Sequence, residues 1–497
     1  MDAPRPPIRH PSAGFFSLLP GSLSFAHKPH RRRMWLSTVS LAVVLSLVYL
    51  VTASRSSAST PRFGIIIDAG SSGTRIHVFA SKGDPGVIPS LDLGSTAVMR
   101  VTPGLSSYSA DPERAGESLV ELMEFAKGKV AKDQRRDTEV RLMATAGLRM
   151  VEVGARERIL ESCRRILRSS GFRFKDDWAT VIPGSDEGTY AWVAANYALG
   201  TLGSDPENTT GIIELGGASA QVTFSSSEAL PPEYLRVLTF GKTTYKLYTN
   251  SFLHLGQNVA HESLQKIFYP RELKSSEESG RVGSLVDPCS PNGYSHGGNF
   301  SQCRSAALTQ LLKEKDDCNY QLCHSGSTFI PKMQGNFIAT ENFFYTSKFF
   351  GLHPTSSLSD LMLAGEEFCE EDWLKTKEKY HLVNDEDLSR YCFSAAYIVA
   401  LLHDSFGIPM DDRRIEYTNQ VGDFQIEWAL GAYIVQSTTS SEKSNWTTVT
   451  INGDFFVLLL ASLLLVFAAW VVSKWKRPRT KTIYDLEKGR YIVTRVS

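Results

Sequence analysis

The chain has 497 residues with 53 basic and 53 acidic side chains, so its formal net charge is zero. A balanced chain has no overall electrostatic attraction to nucleic acid, and no nucleic-acid partner is expected. The length allows roughly two to four domain-sized units.

Residues 1–34 are rich in Pro, Ser and His and lack hydrophobic periodicity. They read as a disordered tail. Residues 35–53 form an uncharged apolar run that follows Arg31, Arg32 and Arg33. At about 1.5 Å per residue such a run nearly spans a hydrocarbon core of about 30 Å. A cleaved signal peptide is the rival reading, since Ala53, Ser54, Ser57 and Ala58 follow; the long polar segment ahead favours an uncleaved anchor. A second uncharged run covers residues 455–472 and is followed by Lys474, Lys476, Arg477, Arg479 and Lys481. Positive flanks stay cytosolic. The expectation is an integral membrane protein with two transmembrane helices and both termini cytosolic. Residues 473–497 form the second cytosolic tail, and 439–454 a Ser/Thr-rich tether. The body between the spans is extracellular or Golgi-lumenal.

Three N-x-S/T sequons lie between the spans, at Asn208, Asn299 and Asn445, where glycosylation is expected. Six of the seven cysteines fall between Cys289 and Cys392, and Cys163 stands apart. None has zinc-type C-x-x-C spacing. In a lumenal domain such a cluster reads as disulfides, and six cysteines allow about 15 connectivities.

Within the body, residues 64–79 (GIIIDAGSSGTRIHVF) and 211–224 (GIIELGGASAQVTF) resemble each other. Each is a β-branched run, an acid, a Gly-containing small-residue loop and an alternating strand. Both predict strand, tight turn, strand. Asp68 and Glu214 correspond. Apolar spacing predicts helices over 111–130, 187–199 and 394–406. Strands mixed with helices give an α/β fold class.

In the first loop Gly70, Ser71, Ser72, Gly73 and Thr74 can turn tightly, aim backbone N–H groups inward and add hydroxyl donors. Such a nest holds phosphate oxygens. Gly216, Gly217 and Ala218 form the matching loop in the second copy. Asp68 ends its strand, placed to hold a metal or its waters. Arg75 supplies a cation to phosphate or pairs with a carboxylate. The available donors are hard oxygens, so Ca²⁺ or Mg²⁺ is the expected cofactor.

Paired phosphate loops on facing lobes resemble the actin-like superfamily. Three further motifs, 144–149 (ATAGLR), 184–192 (GSDEGTYAW) and 248–256 (YTNSFLHLG), narrow the resemblance. With the two loops they are similar, in order and spacing, to the five conserved regions of the apyrase and nucleoside diphosphatase family. Segments 391–394 (YCFS) and 427–431 (EWALG) also look like late family motifs. The resemblance implies a two-lobed actin-like (ribonuclease H-like repeat) body. Lobe I is 62–178 plus 425–438, and lobe II is 179–424, with the active site in the cleft between them. It implies Glu187 as the base that deprotonates water, Ser219 and Gln221 as residues that position that water, and Thr145 near metal and phosphate. Asp68 and Glu214 hold the hydrated cation. Tyr345 and Tyr397 bind the base. Arg149 is either part of the site or a structural salt-bridge partner. The implied disulfides are Cys289–Cys303, Cys318–Cys323 and Cys369–Cys392, leaving Cys163 free. Two positions depart from the family pattern: Glu214 stands where Asp is usual, and Asp186 precedes Glu187 where a second Glu is common.

The implied reaction is cation-dependent release of phosphate from nucleoside tri- or diphosphates. The alternatives are an exopolyphosphatase-like phosphohydrolase, or a catalytically weak nucleotide-binding membrane protein. Base preference and oligomeric state are left open by the sequence.

Overall fold

The computed structural model describes residues 61–83, 87–268, 287–294, 297–313, 323–324, 328–444, 464, 467–468, 480–487 and 489–495. The chain divides into two units, residues 59–449 and the terminal segments 1–58 with 450–497.

The larger unit is built on two sheets. The first contains β1 (Arg62–Ala69), β2 (Thr74–Lys82), β3 (Ser90–Leu91), β4 (Ala97–Val101), β5 (Glu139–Ala144) and β6 (Ala179–Val181). Its order is β3-β2-β1-β5-β6, with β4 also on β2. Strand β1 runs antiparallel to β2 and parallel to β5. Its run of Ile65, Ile66 and Ile67 is buried on both faces, which is where β-branched residues pack well. The second sheet contains β7 (Gly211–Leu215), β8 (Ser219–Ser225), β9 (Leu235–Phe240) and β10 (Thr243–Leu253). A small ribbon follows, β11 (Cys323–His324) with β12 (Thr328–Phe329), and then β13 (Phe337–Glu341) and β14 (Ile415–Tyr417) rejoin the second sheet. Here β7 is antiparallel to β8 and parallel to β13. The internal repeat is therefore real: each half carries a buried strand that ends in an acid, a short loop and an antiparallel return strand.

One face of the first sheet, with Ile65, Ile67, Ile76 and Val78, is covered by helices Leu119–Lys129 and Val153–Arg168. The predicted helix over 111–130 is two helices, Pro112–Glu117 and Leu119–Lys129, which meet at Ser118. The other face, with Ile66, Phe79 and Met143, shares a core with Ile212, Tyr245, Leu247 and Ile338 of the second sheet. Helices Gly184–Ala198 and Trp428–Ser444 fill the space between. They touch so closely at Gly431 that any Cβ there would overlap the Tyr190 carbonyl. The returning C-terminal helix also docks on the first sheet, where Tyr433 Oη meets Ser81 Oγ at 2.6 Å.

Strand β6 pairs with β5, so the lobe boundary expected after residue 178 falls one strand early. The outer face of the second sheet is packed by helices that include Leu358–Glu370 and Tyr391–Val399. The latter continues as a π-helical stretch, Ala400–Ser405, where one longer helix over 394–406 is expected. Two disulfides tie this side together, Cys289–Cys303 and Cys369–Cys392. The implied Cys318–Cys323 bond lies outside the described residues. Cys163 is free and buried. Asn208 is exposed, Asn299 is partly exposed, and Asn445 lies outside the described residues.

In the terminal unit an antiparallel hairpin forms, β15 (Thr480–Asp485) with β16 (Arg490–Arg495). It occupies the segment read from sequence as a plain tail. The apolar run 35–53 lies outside the described residues, and so does nearly all of 455–472. Among the described residues no helix is long and apolar enough to cross a membrane.

Candidate active site

Both loops of the repeat open into one cavity. It is lined by Asp68, Gly70, Ser71, Ser72, Gly73 and Arg75 from the first sheet and by Glu214, Gly216, Gly217, Ala218, Ser219 and Gln221 from the second. Thr145 and Glu187 complete the predicted set there. The loops approach through glycines. A Cβ on Gly217 would sit 3.0 Å from Ser71 Oγ, and one on Gly147 would sit 2.8 Å from Ser71 Cα. At Gly147 only a residue without a side chain lets the Ser71 backbone come this near.

The strands fix the acids. Asp68 is opposite Arg75 in the β1–β2 register, and Glu214 is opposite Gln221 in β7–β8. Both acids are buried, and among the described residues Asp68 Oδ1 and Glu214 Oε2 have no hydrogen-bond partner. Burial drives both carboxyls well above the usual range; Arg75 opposes this at Asp68, and Glu187 reinforces it at both. Arg75 Nη1 lies 3.7 Å from Asp68 and 3.8 Å from Glu341. Arg75 thus pairs with carboxylates, one of its two expected roles.

Glu187 sits in the first turn of helix Gly184–Ala198 and is buried. Arg149 forms an ion pair with its carboxylate. Gln221 Nε2 is 3.4 Å from the same carboxylate, 2.6 Å from Ser219 Oγ and 3.1 Å from Ser251 Oγ. Burial pushes the Glu187 carboxyl up to about 7; Arg149 holds it down and Glu341 adds to the rise. A carboxyl poised near neutrality, set among polar hydrogens, has the properties of a general base.

Three predicted residues fall elsewhere. Thr74 begins β2 with its hydroxyl buried and off the cavity, because alternation along the strand turns it inward. Tyr397 is fully buried in the core of the second sheet's outer side, stacked on Phe393, and its hydroxyl donates to the Leu255 carbonyl at 2.7 Å. It has no free face for a base. Tyr345 is 49% exposed and lies outside the cavity wall, near enough to Glu341 and Arg75 to interact electrostatically.

Two lining residues, Arg100 and Glu341, escaped the sequence reading, and a third, Glu427, lay in the 427–431 motif with no role assigned. Arg100, on β4, donates to Ser72 Oγ at 3.1 Å. Glu427 caps the cavity beside Trp428, and its carboxylate lies 3.2 Å from His77 Nδ1. Glu341 ends β13 after an apolar run, the same signal that marks Asp68 and Glu214.

The wall carries five carboxyls, Asp68, Glu187, Glu214, Glu341 and Glu427, against two arginines, Arg75 and Arg100. Among the described residues no group of three or more His, Cys, Asp or Glu is placed to hold a metal by itself. The two unpartnered buried carboxylate oxygens, Asp68 Oδ1 and Glu214 Oε2, are hard donors that fit a divalent cation completed by water and phosphate oxygens.

Comparison with known proteins agrees with this geometry. The chain is 48% identical to "Probable apyrase 6" of Arabidopsis thaliana, over 96% of this chain and 93% of that protein. It is 31% identical to "Nucleoside-triphosphatase" of Pisum sativum, over 74% of this chain and 86% of that protein. Its fold is similar to the crystal structure of nucleoside triphosphate hydrolases from Neospora caninum, with TM-score 0.58 and 17% identity, covering 82% of this chain and 98% of that one. Residues 54–448 match the GDA1/CD39 (nucleoside phosphatase) family, and the chain belongs to that family of nucleoside phosphate hydrolases.

Proposed function

We propose that this protein hydrolyses the terminal phosphoanhydride bond of nucleoside tri- or diphosphates, with Glu187 as the general base. The observation that carries this reading is the Glu187 carboxyl itself. It is buried, pushed up to about 7, and faces two phosphate loops. Glu187 takes a proton from water, and the water oxygen attacks the terminal phosphorus. The bond to the bridging oxygen breaks, and inorganic phosphate and the shortened nucleotide leave. Gln221 and Ser219, hydrogen-bonded to each other beside Glu187, orient that water. The glycine-rich loops hold the phosphate oxygens through backbone N–H groups. Asp68 and Glu214, directly or through water, would hold Ca²⁺ or Mg²⁺, which would neutralise charge on the phosphate chain.

We infer from the sequence that the body sits between two membrane spans and faces the extracellular space or the Golgi lumen. The basic flanks of both apolar runs support this, as do two disulfides in the body.

The test is phosphate release from ATP, ADP, UDP and polyphosphate by the full-length protein and by Glu187→Gln, with Ca²⁺ or Mg²⁺. The variant should lose about 10²–10⁴-fold in kcat and still bind nucleotide. A variant with more than about a tenth of the wild-type rate removes Glu187 as the base. Turnover of polyphosphate but of no nucleotide would reassign the substrate.

A further inference from the structure

The arginines around the cavity are not equivalent. Arg75 lies 3.7 Å from Asp68 and 3.8 Å from Glu341, so its charge is shared between two carboxylates. Arg149 is committed to Glu187. Arg100 lines the same cavity and, among the described residues, makes no ion pair within 4.0 Å. Only a longer-range influence on Glu341 is felt. Its guanidinium is nonetheless held in place. Nη2 donates to Ser72 Oγ at 3.1 Å, and Nε lies so near the loop that a Cβ on Gly73 would sit 2.7 Å from it. Register explains the position: Arg100 is opposite Arg75 in the β2–β4 pairing, one strand further out. Arg100 is exposed, so it retains donors for a ligand. An unpaired guanidinium fixed on a phosphate loop, with spare planar donors, suits a non-bridging phosphate oxygen.

We propose that Arg100 is a substrate-binding residue that holds a phosphate oxygen of the non-reacting part of the nucleotide. This rests on the phosphohydrolase reading above. Arg100 touches Ser72 and Gly73, whereas Glu187 is served by Arg149 and Gln221. On this proposal its contact with substrate is the same before and during bond cleavage. Such uniform binding sets KM and leaves kcat nearly unchanged.

The experiment uses the full-length protein with Arg100→Gln, Arg100→Lys and wild type. Two quantities are measured: kcat and KM for ATP and ADP, and the dissociation constant of a non-hydrolysable ATP analogue. A lost hydrogen bond to a charged group corresponds to about a 10–100-fold loss of affinity. Arg100→Gln should raise KM and the analogue's Kd by about that factor, with kcat within about threefold of wild type. Arg100→Lys should fall between, since it keeps the charge and loses the planar fork. Raised ionic strength should shrink the gap between wild type and Arg100→Gln, as expected of an exposed charge. Unchanged KM and Kd in Arg100→Gln would overturn the proposal. So would a fall in kcat with KM unchanged, which would place Arg100 in the chemical step. Failure of wild type to release phosphate would instead overturn the phosphohydrolase reading; the analogue's Kd still tests Arg100 in that case.

Discussion

Replacing Arg149 by Met should move the acidic limb of the pH–rate profile to higher pH. Two opposing influences set the Glu187 carboxyl: burial raises it, and the Arg149 charge and hydrogen bond lower it. The balance lies at about 7. Removing Arg149 leaves burial unopposed, so the sign is upward. Below its pKa a carboxyl's ionised fraction falls about tenfold per pH unit, so wild type at pH 7 has about half its base ionised. A limb displaced by about one pH unit leaves about a tenth ionised at pH 7. kcat/KM at that pH then falls roughly fivefold, while the alkaline plateau survives. The assay is kcat/KM for phosphate release between about pH 5.5 and 9, for wild type, Arg149→Met and Arg149→Lys. The lysine variant keeps the charge and should hold its limb nearer to wild type. A limb that stays in place while activity drops equally at every pH would refute the reasoning. Arg149 would then act on the fold or on substrate, and not through the base.

Asp68, Glu187 and Glu214 all titrate above their ordinary values, so at intermediate pH the folded state keeps protons that the unfolded chain has released. Folded binds more protons than unfolded, so metal-free stability should fall as pH rises from about 4 through 7. Ca²⁺ or Mg²⁺ competes with those protons and should raise Tm more at about pH 8 than at pH 5, read by calorimetry; equal shifts at both would count against cation binding at these acids. Tyr397→Phe should cost about 1 kcal/mol of stability through the lost bond to Leu255 and leave KM unchanged, whereas Tyr345→Ala should raise KM severalfold at unchanged Tm. A raised KM in Tyr397→Phe would return that residue to the nucleotide pocket.

The readable parts of the site are those whose signal is local. β-branched runs ending in an acid and a small-residue loop need only a few consecutive residues, and they point to Asp68, Glu214 and the two loops that line the cavity. Glu187 was legible only through the order of motifs, because a first-turn helix acid is common. Glu341 carried the strand-end signal after Phe337–Thr340, but no glycine-rich loop follows it. Arg100 gave none: on β4 it is one polar residue in an alternating edge strand, and register alone brings it over the first loop. Tyr397 misled because an aromatic near a motif looks like a ligand contact. Helix Tyr391–Val399 is apolar nearly all round and buried along most of its length, which makes it core. The boundary at β6 and the break at Ser118 turn on strand pairing and helix packing, which periodicity does not report.

The arrangement of acids argues for a site maintained against the interest of stability. Three carboxyls share one buried region, two of them with an oxygen left unpartnered among the described residues, and the Glu187 charge disfavours ionisation of both Asp68 and Glu214. Packing alone would replace them, since a buried unpaired carboxylate is costly. The two halves of the repeat also differ. Across from Asp68 the register places a guanidinium, Arg75; across from Glu214 it places an uncharged amide, Gln221. The charged groups that bear on Glu214 are the acids Glu187, Glu341 and Asp68. Of the two carboxyls, Glu214 is therefore the less compensated. The longer glutamate arm, in the place where aspartate is usual, extends that unopposed carboxylate one methylene further from its strand. The substitution keeps the charge and changes its reach, so its consequence is read in cation affinity before it is read in the chemical step.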